Sequence, residues 1–225
     1  MIGALIAAAG SGERLGLGPK AFVRVGGTTL LDLCLEGLIG AVSEVVVALP
    51  PGVGLEAHDW GARFDRFVTV TGGADRQSSV RLMLDESSSE VVLVHDVARP
   101  FVTPADAARV AAAASSVGAA TAAVAVADTL VVATSGETVD RSKLRAVQTP
   151  QGFRRGLLVD AHVAAARDAF AATDDAALVR RLGLHVELVA GSKLLNKLTE
   201  PGDLLWAEAV HDVWRRTLDA QRSGA

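Results

Sequence analysis

Short runs of almost uniformly apolar residues alternate with longer helix-patterned segments along this chain, and no other feature narrows its fold as much. Ile2 to Ala8 reads as a first strand and Glu44 to Leu49 as a second. Phe67 to Val70, Val91 to Val94 and Ala119 to Val126 read as further strands. Strands that are apolar throughout, rather than alternating, are those covered by helices on both faces. Helices are expected at Thr29 to Ile39, Arg76 to Leu84, Pro104 to Ser116, Phe153 to Ala169 and Pro201 to Leu218. A short helix over Asp175 to Leu182 leads into a strand at Leu184 to Val189. Thr103-Pro104 has the form of an N-cap followed by proline in the first helical turn. The fold class expected is α/β: a Rossmann-like, doubly wound, mostly parallel sheet.

One segment breaks the rhythm. From Asp128 to Gln148, two strand-like arms flank the polar turn Thr134-Ser135-Gly136-Glu137-Thr138, which suggests an inserted β-hairpin. A hairpin of this length is marginal by itself. It therefore needs a surface to pack against, and a second subunit is the natural one. No repeat, charge block or linker-like run divides residues 1–225, so one domain with a dimerisation arm at about 128–148 is expected.

Composition excludes several classes. The formal net charge is −4, without the basic face usual in nucleic-acid binders. Cys34 is the only cysteine, so neither an intramolecular disulfide nor a cysteine metal cluster is available. It sits in the apolar run Leu30 to Leu35 and reads as a core residue. The N-terminus lacks the basic start of a signal peptide, and the alanine-rich stretch Val110 to Ala127 is too short and too weakly apolar to span a bilayer. A cytoplasmic protein, with no nucleic-acid or membrane partner, is expected.

The segments with chemical content lie mostly where strands hand over to helices. After the first strand come Ala8-Ala9-Gly10-Ser11-Gly12-Glu13-Arg14 and then Pro19-Lys20. Small residues here let a phosphate chain approach the backbone amides. The dinucleotide fingerprint is broken, because Leu15 stands where its third glycine belongs, and no Gly-Lys-Ser/Thr of a P-loop follows. What remains is either a loop carrying Arg14 and Lys20 over an anionic ligand or a surface loop with incidental charges. Asp96, in Val94-His95-Asp96-Val97-Ala98-Arg99-Pro100, follows an apolar strand at the end where open α/β sheets bind ligands. Arg99 could clamp a phosphate, or Asp96 and Arg99 could simply pair in a turn. His95 has no partner at metal-ligand spacing and reads as structural. Gly72-Gly73 permits close backbone approach ahead of the helix that holds Ser79, although such a connection is common. Thr129, Arg141, Thr149-Pro150-Gln151, Thr173-Asp174-Asp175 and Asn196-Lys197 are individually bland, and an aspartate at 174 or 175 has an ordinary capping role available.

No nucleophile elbow, zinc-protease helix or Cys/His cluster is present. Phosphoryl or nucleotidyl transfer asks less of a protein, chiefly positioning and electrostatic stabilisation. An acceptor phosphate monoester has a second pKa of roughly 6 and is largely dianionic near pH 7. Such a nucleophile needs no strong general base.

Taken in order, Ala8-Ala9-Gly10-x-Gly12-x-Arg14, Pro19-Lys20, Gly72-Gly73-x-x-Arg76-x-x-Ser79, His95-Asp96-x-Ala98-Arg99-Pro100, Asp128-Thr129, Thr149-Pro150-Gln151 and Thr173-Asp174-Asp175 resemble the 2-C-methyl-D-erythritol 4-phosphate cytidylyltransferases. The likeness runs from Ile6 to about Glu208. It implies a Rossmann-like domain whose protruding β-arm interlocks two subunits. It implies that Arg14 and Lys20 are catalytic, stabilising the transition state at the α-phosphate of CTP. Ala8, Ala9, Gly10, Gly73, Ser79 and Asp96 would line the nucleotide site. Asp96, Arg99, Thr129, Thr149, Thr173 and Lys197 would position the polyol phosphate, with Arg141 reaching over from the partner subunit. Mg²⁺ would accompany CTP; no protein ligand for it is assigned.

This chain departs from the family pattern in a slightly short spacing between Arg14 and Lys20, and in Ala74 where members often carry an acidic residue that touches the ribose. The alternative substrate is ribitol 5-phosphate, used by related cytidylyltransferases; Ala8-Ala9-Gly10 and Val97-Ala98-Arg99-Pro100 favour the methylerythritol enzymes. A non-catalytic nucleotide-binding domain would not need both Arg14 and Lys20.

Overall fold

The computed structural model describes residues 1–12, 16–55 and 60–223. Its centre is a seven-stranded sheet in the order β11-β7-β10-β6-β1-β4-β5. The strands are β1 (Ile2–Ala7), β4 (Glu44–Leu49), β5 (Arg66–Thr71), β6 (Val91–Asp96), β7 (Ala119–Ala125), β10 (Arg145–Arg154) and β11 (Glu187–Ala190). β1 runs parallel to β4 and β6, β4 parallel to β5, and β11 parallel to β7; β10 runs antiparallel to both neighbours. The expected mostly parallel, doubly wound sheet is therefore present.

Alternate residues of each central strand enter opposite cores, as the period of two requires. Ala4, Ile6, Val45 and Val47 join α1 (Leu30–Leu38), α3 (Pro104–Val117) and α6 (Pro201–Ser223) on one face. Leu5, Val46, Ala48, Val92 and Val94 join α2 (Arg76–Glu86), α4 (Arg155–Arg167) and α5 (Asp175–Arg181) on the other. Helix starts follow their sequence signals: Thr103 caps α3 in a reciprocal box with Asp106, and proline occupies the first turn. Cys34 is fully buried, as expected of a core residue. No described helix is long and apolar enough to cross a membrane.

Two features differ from the expectation. The inserted arm is smaller, pairing only β8 (Leu130–Val131) with β9 (Thr138–Val139). The residues after it turn through Arg141–Lys143 and enter the main sheet as β10, which pairs with β7 on both sides of a register shift between Val147 and Gln151 and with β6 from Gln151 onward. Pro150 and the polar Gln148, Thr149 and Gln151 disguised this strand, because their side chains serve buried hydrogen bonds rather than an apolar core. A second small hairpin, β2 (Arg24–Val25) with β3 (Thr28–Thr29), turns on Gly26 and Gly27 at φ of 57° and 77°. That left-handed pair is the hairpin turn glycine favours.

The chain leaves β1 outward through β4 and β5, then crosses back to β6 on the other side of β1. The carboxyl ends of β1 and β6 thus flank the switch point at which open α/β sheets bind ligands.

Candidate active site

A cleft of about 570 Å³ opens at that switch point. One wall is the glycine loop: Ala9, Gly10, Ser11, Gly12 and Lys20. The loop folds back on itself, with Gly16 donating to the Gly12 carbonyl (3.2 Å) and Lys20 N to the Gly10 carbonyl (3.4 Å). Gly12 has φ of +73°, and a Cβ there would lie 2.2 Å from the Gly18 oxygen, so no other residue fits the turn. Lys20 opens a 3₁₀ turn directly after Pro19, and its Nζ donates to the Leu198 carbonyl at 2.8 Å. Arg14 lies outside the described residues.

The facing wall is the connection from β5 to α2. A Cβ on Gly72 would sit 2.2 Å from the Ala9 Cβ, so glycine is what lets the two loops meet. Asp75 caps α2 in a reciprocal box with Ser78. Buried Ser79 accepts from Gly73 N (3.0 Å) and donates to the Asp75 carbonyl (2.7 Å), which fixes the loop over the helix start. Arg76, the first residue of α2, is thereby aimed across the cleft at the end of β6.

There it meets Asp96. Arg76 Nε donates to Asp96 Oδ1 at 2.8 Å, and Lys197 Nζ to Oδ2 at 2.6 Å. Burial pushes the Asp96 carboxyl up, but the two cations outweigh it and hold the group well below the usual carboxylate range. Arg76 Nη1 also donates to Asp175 Oδ2 at 2.7 Å, and His162 Nε2 lies 3.1 Å from Asp175 Oδ1. Asp175 and His162 are buried. Behind Asp96, its backbone N donates to Thr149 Oγ1 (3.0 Å), and that hydroxyl lies 3.1 Å from His95 Nδ1. His95 Nε2 lies 2.9 Å from the Arg99 carbonyl, an obligate acceptor, so the proton sits on Nε2 and Nδ1 accepts from Thr149. Burial pushes the His95 imidazole down to about 4, so it is neutral at pH 7. It holds the turn after β6 in place, the structural part expected of it.

Of the residues singled out in the sequence, Ala9, Gly10, Lys20, Gly73, Ser79, Asp96 and Lys197 line this cleft. Ala8 packs its side chain into the core. Thr149 stands one layer behind Asp96, and the Arg99 guanidinium is held by the carbonyls of Leu195 (2.6 Å) and Val147 (3.5 Å). Thr129 and Arg141 are exposed on and beside the arm, and Thr173 is exposed just ahead of α5; none of the three is among the residues that line the cleft. Sequence reasoning missed the roles of Arg76, His162 and Asp175. Arg76 stood inside a recognised motif, but nothing within a few residues indicated its partners. Of the two adjacent aspartates, Asp174 is the cap of α5, accepting from Ala177 N, and Asp175 turns inward.

Among the described residues, no group of three or more His, Cys, Asp and Glu side chains could hold a metal ion. Asp96 is the carboxylate at the end of β6, and both its oxygens are engaged by cations. The donor set thus suits a polyanion.

Comparison with known proteins identifies the family. The family model described as 2-C-methyl-D-erythritol 4-phosphate cytidylyltransferase matches residues 2–212. A protein of that name from Deinococcus radiodurans is 52% identical over 210 residues, covering 92% of this chain and 88% of its own. The crystal structure of the Thermus thermophilus protein of that name superposes with a TM-score of 0.82 at 43% identity, covering 92% of this chain and 98% of its own. The 4-diphosphocytidyl-2C-methyl-D-erythritol synthase of Anaerococcus prevotii gives the same TM-score at 26% identity, covering 94% and 96%. With its sheet order, its switch-point cleft and a match over nearly its whole length, this chain belongs to the 2-C-methyl-D-erythritol 4-phosphate cytidylyltransferase family.

Proposed function

We propose that this chain transfers CMP from CTP to 2-C-methyl-D-erythritol 4-phosphate. The products are 4-diphosphocytidyl-2-C-methyl-D-erythritol, an intermediate of isoprenoid precursor synthesis, and pyrophosphate. The observation that carries this reading is the cleft itself, in which Lys20 and Lys197 lie with Asp96 between glycine-rich loops whose backbones can approach a triphosphate.

In this reading the triphosphate lies against Ala9, Gly10, Gly73 and Ser79. Ala8 contributes through its backbone at the end of β1. The acceptor's phosphate oxygen attacks the α-phosphorus in line as the bond to the β-phosphate oxygen breaks, and pyrophosphate leaves with the bonding electrons. Lys20, with Arg14, neutralises the charge that builds on the α-phosphate oxygens. Asp96 stands between the two substrates. Lys197, Arg99, Thr129, Thr149 and Thr173 orient the polyol phosphate. Mg²⁺ enters with the triphosphate and would screen its charge.

The working molecule is one domain, a homodimer joined through the arm, with Arg141 contributed across the interface. Leu130, Val131 and Val132 support this part of the reading: they are 37%, 56% and 40% exposed in the single chain, an apolar run suited to burial against a second copy. Cytoplasmic location is part of the same proposal, since both substrates are soluble phosphorylated metabolites.

The test is pyrophosphate release by purified protein with each of the four nucleoside triphosphates and each of two acceptors. Rapid turnover is expected only with CTP and methylerythritol phosphate. Faster turnover with ribitol 5-phosphate would replace the acceptor, and no release with any pair would end the enzyme reading. Arg141→Ala is expected to raise the KM for the polyol phosphate about tenfold or more while CTP binding is retained, as for loss of one charged contact. Unchanged kinetics would remove the arm from the site.

A further inference from the structure

A chain of side chains from three helices ends on one carboxylate in this fold. Asp96 Oδ1 is held by Arg76 of α2; Arg76 is held by Asp175 of α5; Asp175 is held by His162 of α4. Asp96, Asp175 and His162 are buried, and the Arg76 side chain is 28% exposed. Arg76 Nη2 is also buried, yet it finds no hydrogen-bond partner among the described residues. The guanidinium bonds carboxylates from two separate elements, the arrangement in which its rigid fork fixes direction.

The other side of Asp96 is built differently. Lys197 sits in the irregular segment ahead of α6, its side chain 39% exposed, and reaches Oδ2 through a flexible stem. Asp96 therefore has one cation that cannot turn away and one that can. Lys197 can swing to an incoming dianionic phosphate only if Asp96 keeps a cation of its own after the exchange. Otherwise the buried carboxylate would hold the lysine back.

We propose that Arg76 is a positioning residue of the transfer reaction: backed by Asp175 and His162, it holds Asp96 so that Lys197 is released to the acceptor's phosphate. The inference rests on the function proposed above, and it adds residues that act through Asp96 and Lys197 rather than on the substrates directly. It makes a directional claim. Without Arg76, Asp96 has Lys197 as its cation partner, so the loss falls on the acceptor and not on the nucleotide.

Steady-state pyrophosphate release, with each substrate varied in turn, tests this on the wild type and on Arg76→Met, Arg76→Lys and Asp175→Asn. Arg76→Met is expected to raise the acceptor KM about tenfold or more, as for loss of a charged hydrogen bond, with the CTP KM within about threefold of wild type. Asp175→Asn should show the same bias in smaller degree. Arg76→Lys keeps the charge but cannot span both carboxylates, and should fall between wild type and Arg76→Met. If Arg76→Met does not fold, the acceptor bias of Arg76→Lys and Asp175→Asn decides. Equal rises in both KM values, or lowered Tm with wild-type kinetics, would overturn the proposal. A wild type inactive with CTP and methylerythritol phosphate would instead overturn the function on which it rests.

Discussion

Replacing Lys20 by alanine is expected to lower kcat at least about 10²-fold while the fold survives, the size of effect seen when one preorganised electrostatic donor is removed. That factor corresponds to about 2.7 kcal/mol of transition-state stabilisation. Lys20 is well placed for such a part. Pro19 fixes the backbone ahead of it, the Gly10 carbonyl anchors its amide, and its Nζ reaches the carbonyl of Leu198, the neighbour of cleft-lining Lys197. A carbonyl is a partner that a triphosphate can replace at little cost, because water or Lys197's own segment can satisfy it. The effect should appear in kcat more than in the CTP KM, since charge on the α-phosphate oxygens builds during the transfer. Circular dichroism and thermal melting should match the wild type, because Lys20 is partly exposed and its turn is set by Pro19 and Gly10. A near-normal kcat would remove Lys20 from the chemistry.

The same residue shows what was legible in the sequence. The glycine loop and Asp96 were readable because each follows or closes an apolar run that marks a strand's end, and Lys20 because a Pro-Lys pair closes that same loop. β4 occupies Glu44–Leu49 as expected, and α3 begins at Pro104 with Thr103 as its cap. β10 was hidden because a strand between β6 and β7 can be built on buried amides: Gln148 bonds Ser192 and Gln151 bonds Asp174, so the segment lacks an apolar signature. Arg76 and Asp175 lie 99 positions apart, and only the order of strands across the switch point brings α2 and α5 together there. No local spacing carries that information. The family resemblance did carry both residues within its motifs, but a motif marks positions and not which neighbour each side chain faces. The adjacent Asp174 and Asp175 make the point sharply, since one caps a helix in partial exposure and the other is buried against Arg76 and His162.

Loss of the Glu44 carboxylate is expected to give a stability effect of about 3 kcal/mol, close to that of breaking a buried charge network from one side. Glu44 opens β4 with no exposed surface. It accepts from Ser87 Oγ (2.5 Å), Ser89 Oγ (2.7 Å), the amides of Ser88 and Ser89 (both 3.1 Å) and Arg66 Nη1 (2.7 Å). Gly3 makes room for it, since a Cβ there would lie 2.9 Å from Glu44 Oε2. Burial pushes this carboxyl up, but the serine hydroxyls, the Ser88 amide and Arg66 prevail and draw it down to about 2 from an ordinary 4.5. The folded value is the lower one, so between these limits the unfolded chain binds the extra proton. The contribution is therefore complete above about pH 4.5 and is lost as pH falls towards 2. Glu44→Ala strands donors from the turn between α2 and β6, and should lower Tm by about 6–12 °C at pH 7. Glu44→Gln keeps the shape without the charge, so its stability should fall less steeply than the wild type's across that acid window. Parallel slopes for the two proteins would show that the carboxylate is not the titrating group. Glu44 pairs in register with Gly3, at the start of β1 and thus at the opposite end of the strands from Asp96. At a temperature where both variants are folded, kcat and both KM values should accordingly stay at wild-type levels, separating the support of the sheet from the chemistry at its other edge.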